Sequence, residues 1–155
     1  MKKIKPIISL LILSGIASLN GNLLAQMKDD IHLRMTNYHK SISLHAKAII
    51  SGEAKTNEEQ LEHIRKASTD LVNVQKTHRE MKKLIPRKTR KEIKPVHKSI
   101  DNMYESSKTH INWLTKELTK IEPDYAKVKE HARSLEDAID KAEQEHLKLI
   151  EKANL

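Results

Sequence analysis

The chain has 155 residues, of which 32% are charged, and it contains three glycines, no phenylalanine and no cysteine. The lack of cysteine excludes disulfide bonds, thiolate metal sites and covalently attached haem. Three glycines are too few for a glycine-rich phosphate-binding loop. This composition is typical of an all-helical protein, and the net charge of +8 mildly favours anionic partners.

The N-terminal segment has the pattern of a secretory signal peptide. Three lysines near the start are followed by an apolar stretch at 7–19, and cleavage is predicted after Ala25. The apolar stretch is short for a bilayer-spanning helix, so a retained membrane anchor is the less favoured alternative. We therefore predict a bacterial signal peptide over 1–25 and one mature domain over 26–155. The location we expect is periplasmic or secreted, and we do not expect an integral membrane protein.

Two amphipathic helices are predicted in the first half of the mature chain. Helix 1 spans about 29–51 and ends before Gly52, which suits a helix C-cap. Helix 2 spans about 57–84 and begins with a capping box formed by Thr56 and Glu59. In both, core residues recur at alternating steps of three and four. The predicted core positions are Ile31, Met35, Tyr38, Ile42, His45 and Ile49, then Ile64, Ala67, Leu71, Val74, His78, Met81 and Ile85.

The second half predicts two further helices, the first of which has two possible starts. A capping box of Thr89 and Glu92 would place Pro95 inside helix 3 and kink it. Alternatively, the regular helix begins at Pro95 and 86–94 is a loop. Helix 4 spans about 123–152. The predicted core positions are Ile93, His97, Ile100, Tyr104, Ser107, Ile111, Leu114 and Leu118, then Tyr125, Val128, Ala132, Leu135, Ile139, Ala142, His146 and Leu149.

Four amphipathic helices with short connections predict an all-α, up-down-up-down antiparallel four-helix bundle. A longer helical hairpin that dimerises is the alternative, and the oligomeric state stays open. In a bundle the nine histidines sort into two levels, because antiparallel neighbours match at positions equally far from their shared turn. The lower level contains His78, His97 and His146, with His32, Met35 and His39 at the same end. The upper level contains His45, His63, His110 and His131.

The lower level is the favoured site for a transition metal ion. Neutral imidazole binds copper or zinc, and three histidines from different helices suit a tetrahedral or open site. The predicted ligands are His78, His97 and His146. Met35 as the fourth ligand would favour copper(I), whereas His32 or His39 would favour zinc or copper(II). The upper level is a second, weaker candidate, and unliganded, hydrogen-bonded histidines are the alternative at both levels.

A basic cluster surrounds the connection between helices 2 and 3. It would attract an anionic envelope surface such as lipid headgroups, and a solvated loop is the alternative. Nucleic acid is not an expected partner, because no aromatic residues are interleaved for base stacking. The candidate anion-binding residues are Lys82, Lys83, Arg87, Lys88, Arg90 and Lys91.

Catalytic motifs are sparse. Glu143 and His146 form one E-x-x-H pair, which di-iron carboxylate bundles require twice. The sequence contains no nucleophile elbow and no H-E-x-x-H zinc motif. We therefore predict a binding protein rather than an enzyme, one that buffers, stores or delivers copper or zinc. A structural or interaction bundle without a cofactor is an alternative.

The chain also resembles the soluble periplasmic cytochrome b family of four-helix bundles. Met35, early in helix 1, and His146, late in helix 4, match the positions of that family's axial haem ligands. The stretch KVKE at 127–130 is similar to the family's last helix. The resemblance implies non-covalently bound haem b and electron transfer as an alternative function. The chain departs from the family at His78 and His97, whose polar rings near the pocket suit a discrete metal ion.

Overall fold

A computed structural model of the chain describes the backbone of residues 8–153 and the side chains of residues 25–152. The described residues form four helices, α1 (Ile8–Ser51), α2 (Asn57–Leu84), α3 (Arg90–Leu118) and α4 (Tyr125–Ala153). Each helix packs against the next one along the chain, and α4 closes against α1. The predicted all-α, up-down four-helix bundle is confirmed.

Local sequence signals set the first connection. Thr56 Oγ1 accepts a hydrogen bond from the Glu59 amide (3.1 Å), and the Glu59 carboxylate accepts one from the Thr56 amide (3.0 Å). This confirms the predicted capping box, which satisfies backbone amides that the helix leaves free. Gly52 follows α1 with a φ of 80°. That left-handed conformation favours glycine and ends the helix.

The starts of α3 and α4 differ from parts of the prediction. Helix α3 begins directly after Thr89, at the earlier of the two predicted starts, so Pro95 lies inside the helix. The predicted capping box at Thr89 is wrong, because its backbone is already helical (φ −81°, ψ −22°) and its side chain makes no capping hydrogen bond. Helix α4 begins at Tyr125, slightly later than predicted. There Asp124 Oδ1 accepts a hydrogen bond from the Lys127 amide (3.2 Å).

Helix α1 is longer than the sequence pattern predicts. The prediction starts near Asp29, whereas α1 already begins at Ile8. The residues just before Asp29 include leucine, alanine, glutamine and methionine, all good helix formers, so the helix continues through them. The predicted signal peptide over 1–25 includes residues 1–7, which lie outside the described residues, and export stays a prediction. Within the described part of the chain, no helix is long and apolar enough to cross a membrane.

The core follows the predicted stripes except at three histidines and two tyrosines. Tyr38 is half-buried, and Tyr125 is 50% exposed because it is the first residue of α4. Every predicted core position of α2 is buried. His39, predicted beside the stripe of α1, is fully buried. His45 and His97, predicted as core positions, are only half-buried, because their apolar neighbours Ala46 and Val96 take the buried positions. Burying an imidazole costs more than burying a methyl or isopropyl group, so the apolar neighbour is favoured at both places.

Candidate metal centre

Eight of the nine histidines form four pairs, and each pair joins two neighbouring helices. The two neutral rings of a pair share a hydrogen bond in which one nitrogen donates and the other accepts. Every contact between adjacent helices therefore contains one histidine pair. The pairs are His45–His63 between α1 and α2 (3.0 Å), His78–His97 between α2 and α3 (3.2 Å), His110–His131 between α3 and α4 (2.9 Å), and His32–His146 between α1 and α4 (3.0 Å).

The ninth histidine, His39, links two of these pairs across the core. Its Nε2 lies 2.9 Å from the Tyr104 hydroxyl, and its ring centre lies 6.1 Å from that of His146. The Tyr104 ring lies 5.9 Å from His78 on the other side. A continuous row of aromatic side chains therefore crosses the bundle from the α1–α4 contact to the α2–α3 contact. We call this row the ring chain; its members are His32, His146, His39, Tyr104, His78 and His97.

The ring chain is buried in its middle and reaches towards solvent at its ends. His39, His78 and His146 are 0% exposed, and Tyr104 is 1% exposed. The terminal members, His32 and His97, are half-buried. Each buried pair member therefore has a more accessible partner on the neighbouring helix.

Burial keeps four histidines of the ring chain neutral. It lowers the pKa of His39 to about 4 and, with smaller contributions from neighbouring histidines, that of His146 to about 3. It lowers the pKa of His78 to about 2 and that of His97 to about 4, and the positive charge of Lys82 adds to both shifts. At neutral pH these imidazoles carry the lone pair through which they bind metal ions.

Each fully buried histidine leaves one ring nitrogen free. The Nδ1 atoms of His39, His78 and His146 are buried and have no hydrogen-bond partner among the described residues. Such a buried polar atom typically costs about 1–3 kcal/mol. Folded proteins contain few of them, and a bound ion is one of the physical explanations for such an atom. The ring chain thus brings three ring nitrogens without hydrogen-bond partners into the core.

The structure divides the predicted ligand set between the two ends of the ring chain. His78 contacts His97, whereas His146 contacts His32. Met35 is fully buried in the core. Among the described residues, no three histidine, aspartate or glutamate side chains are arranged to hold one metal ion. An ion that uses three of the predicted ligands therefore requires rings to turn from these positions.

The predicted upper level consists of two pairs on different helix contacts. His45 and His63 adjoin the connection between α1 and α2, and His110 and His131 adjoin the connection between α3 and α4. All four rings are half-buried. We call His45–His63 and His110–His131 the outer pairs.

Sequence reasoning missed the joint role of His39 and Tyr104. One signal for it was present, because a tyrosine at a core position needs a hydrogen-bond partner for its hydroxyl. Burial raises the pKa of the Tyr104 hydroxyl far above its usual range, so it stays protonated and can donate to a ring nitrogen. His39 is the side chain that receives this contact.

The basic cluster lines part of an open cavity of about 640 Å³ beside His97. Two of its cations already have partners: Lys82 Nζ donates to Asp101 Oδ2 (2.6 Å), and Arg90 Nε donates to the Ile85 carbonyl (3.0 Å). Of the predicted anion-binding residues, those that line the cavity are Lys82, Lys83 and Arg90, while Arg87, Lys88 and Lys91 are exposed outside it.

The fold and the site together define a histidine-rich four-helix bundle with paired histidines at its helix contacts. No family model matches the chain, and no curated protein or solved structure is significantly similar to it. The resemblance to periplasmic cytochrome b bundles therefore extends to the all-α four-helix architecture, and no family match supports it further.

Proposed function

We propose that the protein binds a transition metal ion, copper or zinc, in the ring chain and serves to buffer, store or deliver it. The observation that carries this proposal is the group of three fully buried, neutral histidines, each with an unpartnered Nδ1. The ligands we propose are His78, His97 and His146, with Met35 or His32 completing the shell. The half-buried rings of His32 and His97 offer the ion a path inward from either end.

The spacing within the pairs supports metal binding. Two nitrogens that bind one ion at about 2.0–2.1 Å and at angles of 90–109° lie about 2.9–3.4 Å apart. The nitrogens that face each other, which are not the unpartnered Nδ1 atoms, are 3.2 Å apart for His78 Nε2 and His97 Nδ1 and 3.0 Å apart for His146 Nε2 and His32 Nδ1. An ion can thus replace the hydrogen bond of either pair with little movement. Because the buried rings are already neutral, binding releases no proton from them, but the ring that donates in the pair has to move its proton to its other nitrogen.

We propose a binding protein rather than an enzyme. The support for this is the lack of catalytic motifs in the sequence, whose single E-x-x-H pair, Glu143 and His146, is half of what a di-iron carboxylate bundle requires. We further propose a periplasmic or secreted location, which rests on the basic and apolar pattern of 1–25. The mass of the protein recovered from a periplasmic fraction tests the location, since cleavage after Ala25 gives a defined mature mass.

Thermal unfolding in zinc, buffered at a low free concentration that favours the buried donors over the open outer pairs, tests the metal site. An ion that binds only the folded state stabilises it by about 2.7 kcal/mol at 100 times Kd. For a domain of this size, that corresponds to a rise in Tm of roughly 10 °C. The double variant His78→Leu/His146→Leu, which keeps the side-chain bulk but removes the donors, should lose this rise.

The matched control is His45→Leu/His110→Leu, which removes one histidine from each outer pair and should keep the rise in Tm. Circular dichroism of both metal-free variants verifies that the bundle is still folded. If the folded His78→Leu/His146→Leu protein is stabilised by the metal as much as the wild type, the ring chain is not the metal site.

Haem b is the second candidate, because Met35 and His146 are both fully buried in the core. The polar rings of His39 and Tyr104 beside His146 disfavour a flat, largely apolar macrocycle at this place. Addition of haem to the purified protein separates the two candidates. A Soret band that Met35→Ala shifts would support haem, and a spectrum without such a band would eliminate it.

A further inference from the structure

We propose that the two outer pairs, His45–His63 and His110–His131, are two separate surface sites for Cu²⁺ that act independently of the ring chain. In each pair the two Nδ1 atoms face each other across a helix contact, at 3.0 Å and 2.9 Å respectively. The four rings are half-buried, so an ion can approach them from solvent. The sequence groups these histidines in one level, whereas the structure places them on different helix contacts.

The spacing of the outer pairs also fits the coordination geometry of Cu²⁺. Two nitrogens 2.9 Å apart, each about 2.0 Å from an ion, subtend about 90° at that ion. Ligands at a right angle suit the tetragonal geometry of Cu²⁺, with water in the remaining positions. A linear two-coordinate Cu⁺ would need the nitrogens about 4 Å apart, and tetrahedral zinc would need about 3.3 Å. Cu²⁺ also has the highest affinity for nitrogen ligands among the common divalent ions.

Carboxylates and cations both line the open cavity beside the first outer pair. His45 shares this cavity with Glu62 and Asp70 and also with Arg65 and Lys66. Glu62 pairs with both cations, at 3.5 and 3.6 Å, so the charges around the pair largely offset one another. The open cavity gives an ion access to the pair, and the two imidazoles supply the protein ligands.

A tryptophan lies against the second outer pair. The ring of Trp113 stacks on that of His131, with the centres 3.7 Å apart and the planes 26° from parallel. This contact restricts the orientation of His131 and keeps its Nδ1 directed at His110. Trp113 is also the only tryptophan in the chain. Its fluorescence consequently reports most directly on this pair.

The two pairs should load separately. No three potential ligands come together among the histidines and carboxylates of the described chain, so the four outer histidines do not converge on one point. Each pair supplies two protein ligands, which makes the sites open and their ions exchangeable. The expected stoichiometry is one Cu²⁺ for each pair.

Titration with Cu²⁺ while Trp113 emission is recorded tests the proposal. Paramagnetic Cu²⁺ held beside His131 should quench the emission strongly in the wild type. His110→Leu/His131→Leu should abolish the saturable quenching, and His131→Leu alone should weaken the apparent affinity at least about tenfold. His45→Leu/His63→Leu should quench like the wild type but bind one Cu²⁺ fewer per chain in equilibrium dialysis.

Two controls keep this result distinct from that of the ring chain. His78→Leu/His146→Leu should retain the quenching, because its substitutions lie outside the outer pairs. Zn²⁺ has a filled d shell, so it should not quench by itself, but an excess should displace Cu²⁺ and restore the emission. If both outer double variants lose the quenching, the four histidines form one site and the proposal is wrong. If neither loses it, Cu²⁺ acts elsewhere and the proposal is equally wrong.

Discussion

The ring chain and the outer pairs contain the same residue type at the same spacing, but they differ in depth. The pairs within the ring chain have nitrogen separations of 3.0 and 3.2 Å, and the outer pairs have 3.0 and 2.9 Å. In the ring chain, one member of each pair is fully buried, whereas both members of the outer pairs are half-buried. Antiparallel packing thus determines the distance between the two nitrogens of a pair. How deeply the rings are buried determines whether they are protonated and whether an ion can reach them from solvent.

This difference assigns the two regions different chemistry. Burial lowers the pKa of His146 to about 3, so it is neutral well into the acidic range. In the outer pairs, burial and the partner histidine also lower the pKa of His45 and His110. A buried donor set binds tightly and exchanges slowly, whereas an open pair binds weakly and exchanges fast. We infer that the ring chain suits retention of an ion and the outer pairs suit its capture.

Acid unfolding of the metal-free protein should show the largest effect of depth. In the unfolded chain a histidine has a pKa of about 6.5. In the folded protein the pKa of His39 is about 4, that of His146 about 3 and that of His78 about 2. Below pH 6.5 the unfolded state therefore binds more protons, and stability falls as the pH decreases from 6.5 towards 4. Above 6.5 these groups make stability independent of pH.

Each such histidine contributes at most about 1.4 kcal/mol per pH unit, so these three and His97, whose pKa is about 4, give at most about 5.6 kcal/mol per pH unit. A net stability of roughly 5–15 kcal/mol would then be exhausted between about pH 5.5 and pH 3.5. In urea unfolding with a chelator present, His146→Leu should remove about a quarter of this slope. The control His110→Leu, in an outer pair, should change it less, because His110 is only half-buried. Equal stability of the wild type at pH 4.5 and pH 7.5 would contradict this prediction.

Removal of one hydroxyl tests the middle of the ring chain. Tyr104→Phe leaves His39 Nε2 without its 2.9 Å partner in a fully buried position. The expected loss is about 1–3 kcal/mol in the free energy of unfolding, measured in urea at pH 7.5. The matched control is Tyr125→Phe, which removes the hydrogen bond to Asn57 Oδ1 (2.6 Å) from a tyrosine that is 50% exposed. Water replaces that partner, so the control should lose less, and equal losses would show that burial of the His39 contact has no special cost.

The fold could be predicted from the sequence because its signals are local. The capping box at Thr56 and the left-handed Gly52 each act within one turn of chain. The apolar stripe of α2 keeps its three-four rhythm throughout, so every predicted core position is buried even where Val72 or Leu84 is an apolar neighbour. Counting from the turns also places His45 level with His63 and His110 level with His131, because antiparallel neighbours share that register.

The depth of individual histidines could not be predicted in the same way. One residue corresponds to about 100° of rotation around a helix, so a shift of one position moves a side chain from the core to its margin. His39 is buried and His97 is half-buried, because the packing of α1 and α3 determines which of two adjacent positions faces the core. Which histidines meet across a contact depends on this rotation as well as on height. The contact of His39 with Tyr104 joins residues that are far apart in sequence. The sequence therefore gives little indication that the two side chains meet.

The smallest expected effect is a change in the pKa of His97, and it tests whether burial or the charge of Lys82 keeps this ring neutral. Lys82 is half-buried, and its charge lowers the pKa of His97 in addition to the larger effect of burial. Lys82→Gln removes this charge and frees Asp101, whose carboxylate raises the pKa of His97. Both changes act in the same direction, so the pKa of His97 should rise, as followed by the NMR shift of its ring protons.

The matched control for that titration is Lys98→Gln, because Lys98 lines the same cavity and is exposed. It should leave the pKa of His97 nearer to the wild-type value than Lys82→Gln does. Since burial is the larger cause, His97 should stay well below the ordinary value of about 6.5 in both variants. A return of the pKa to 6.5 in Lys82→Gln would mean that charge, rather than depth, distinguishes the end of the ring chain from the outer pairs.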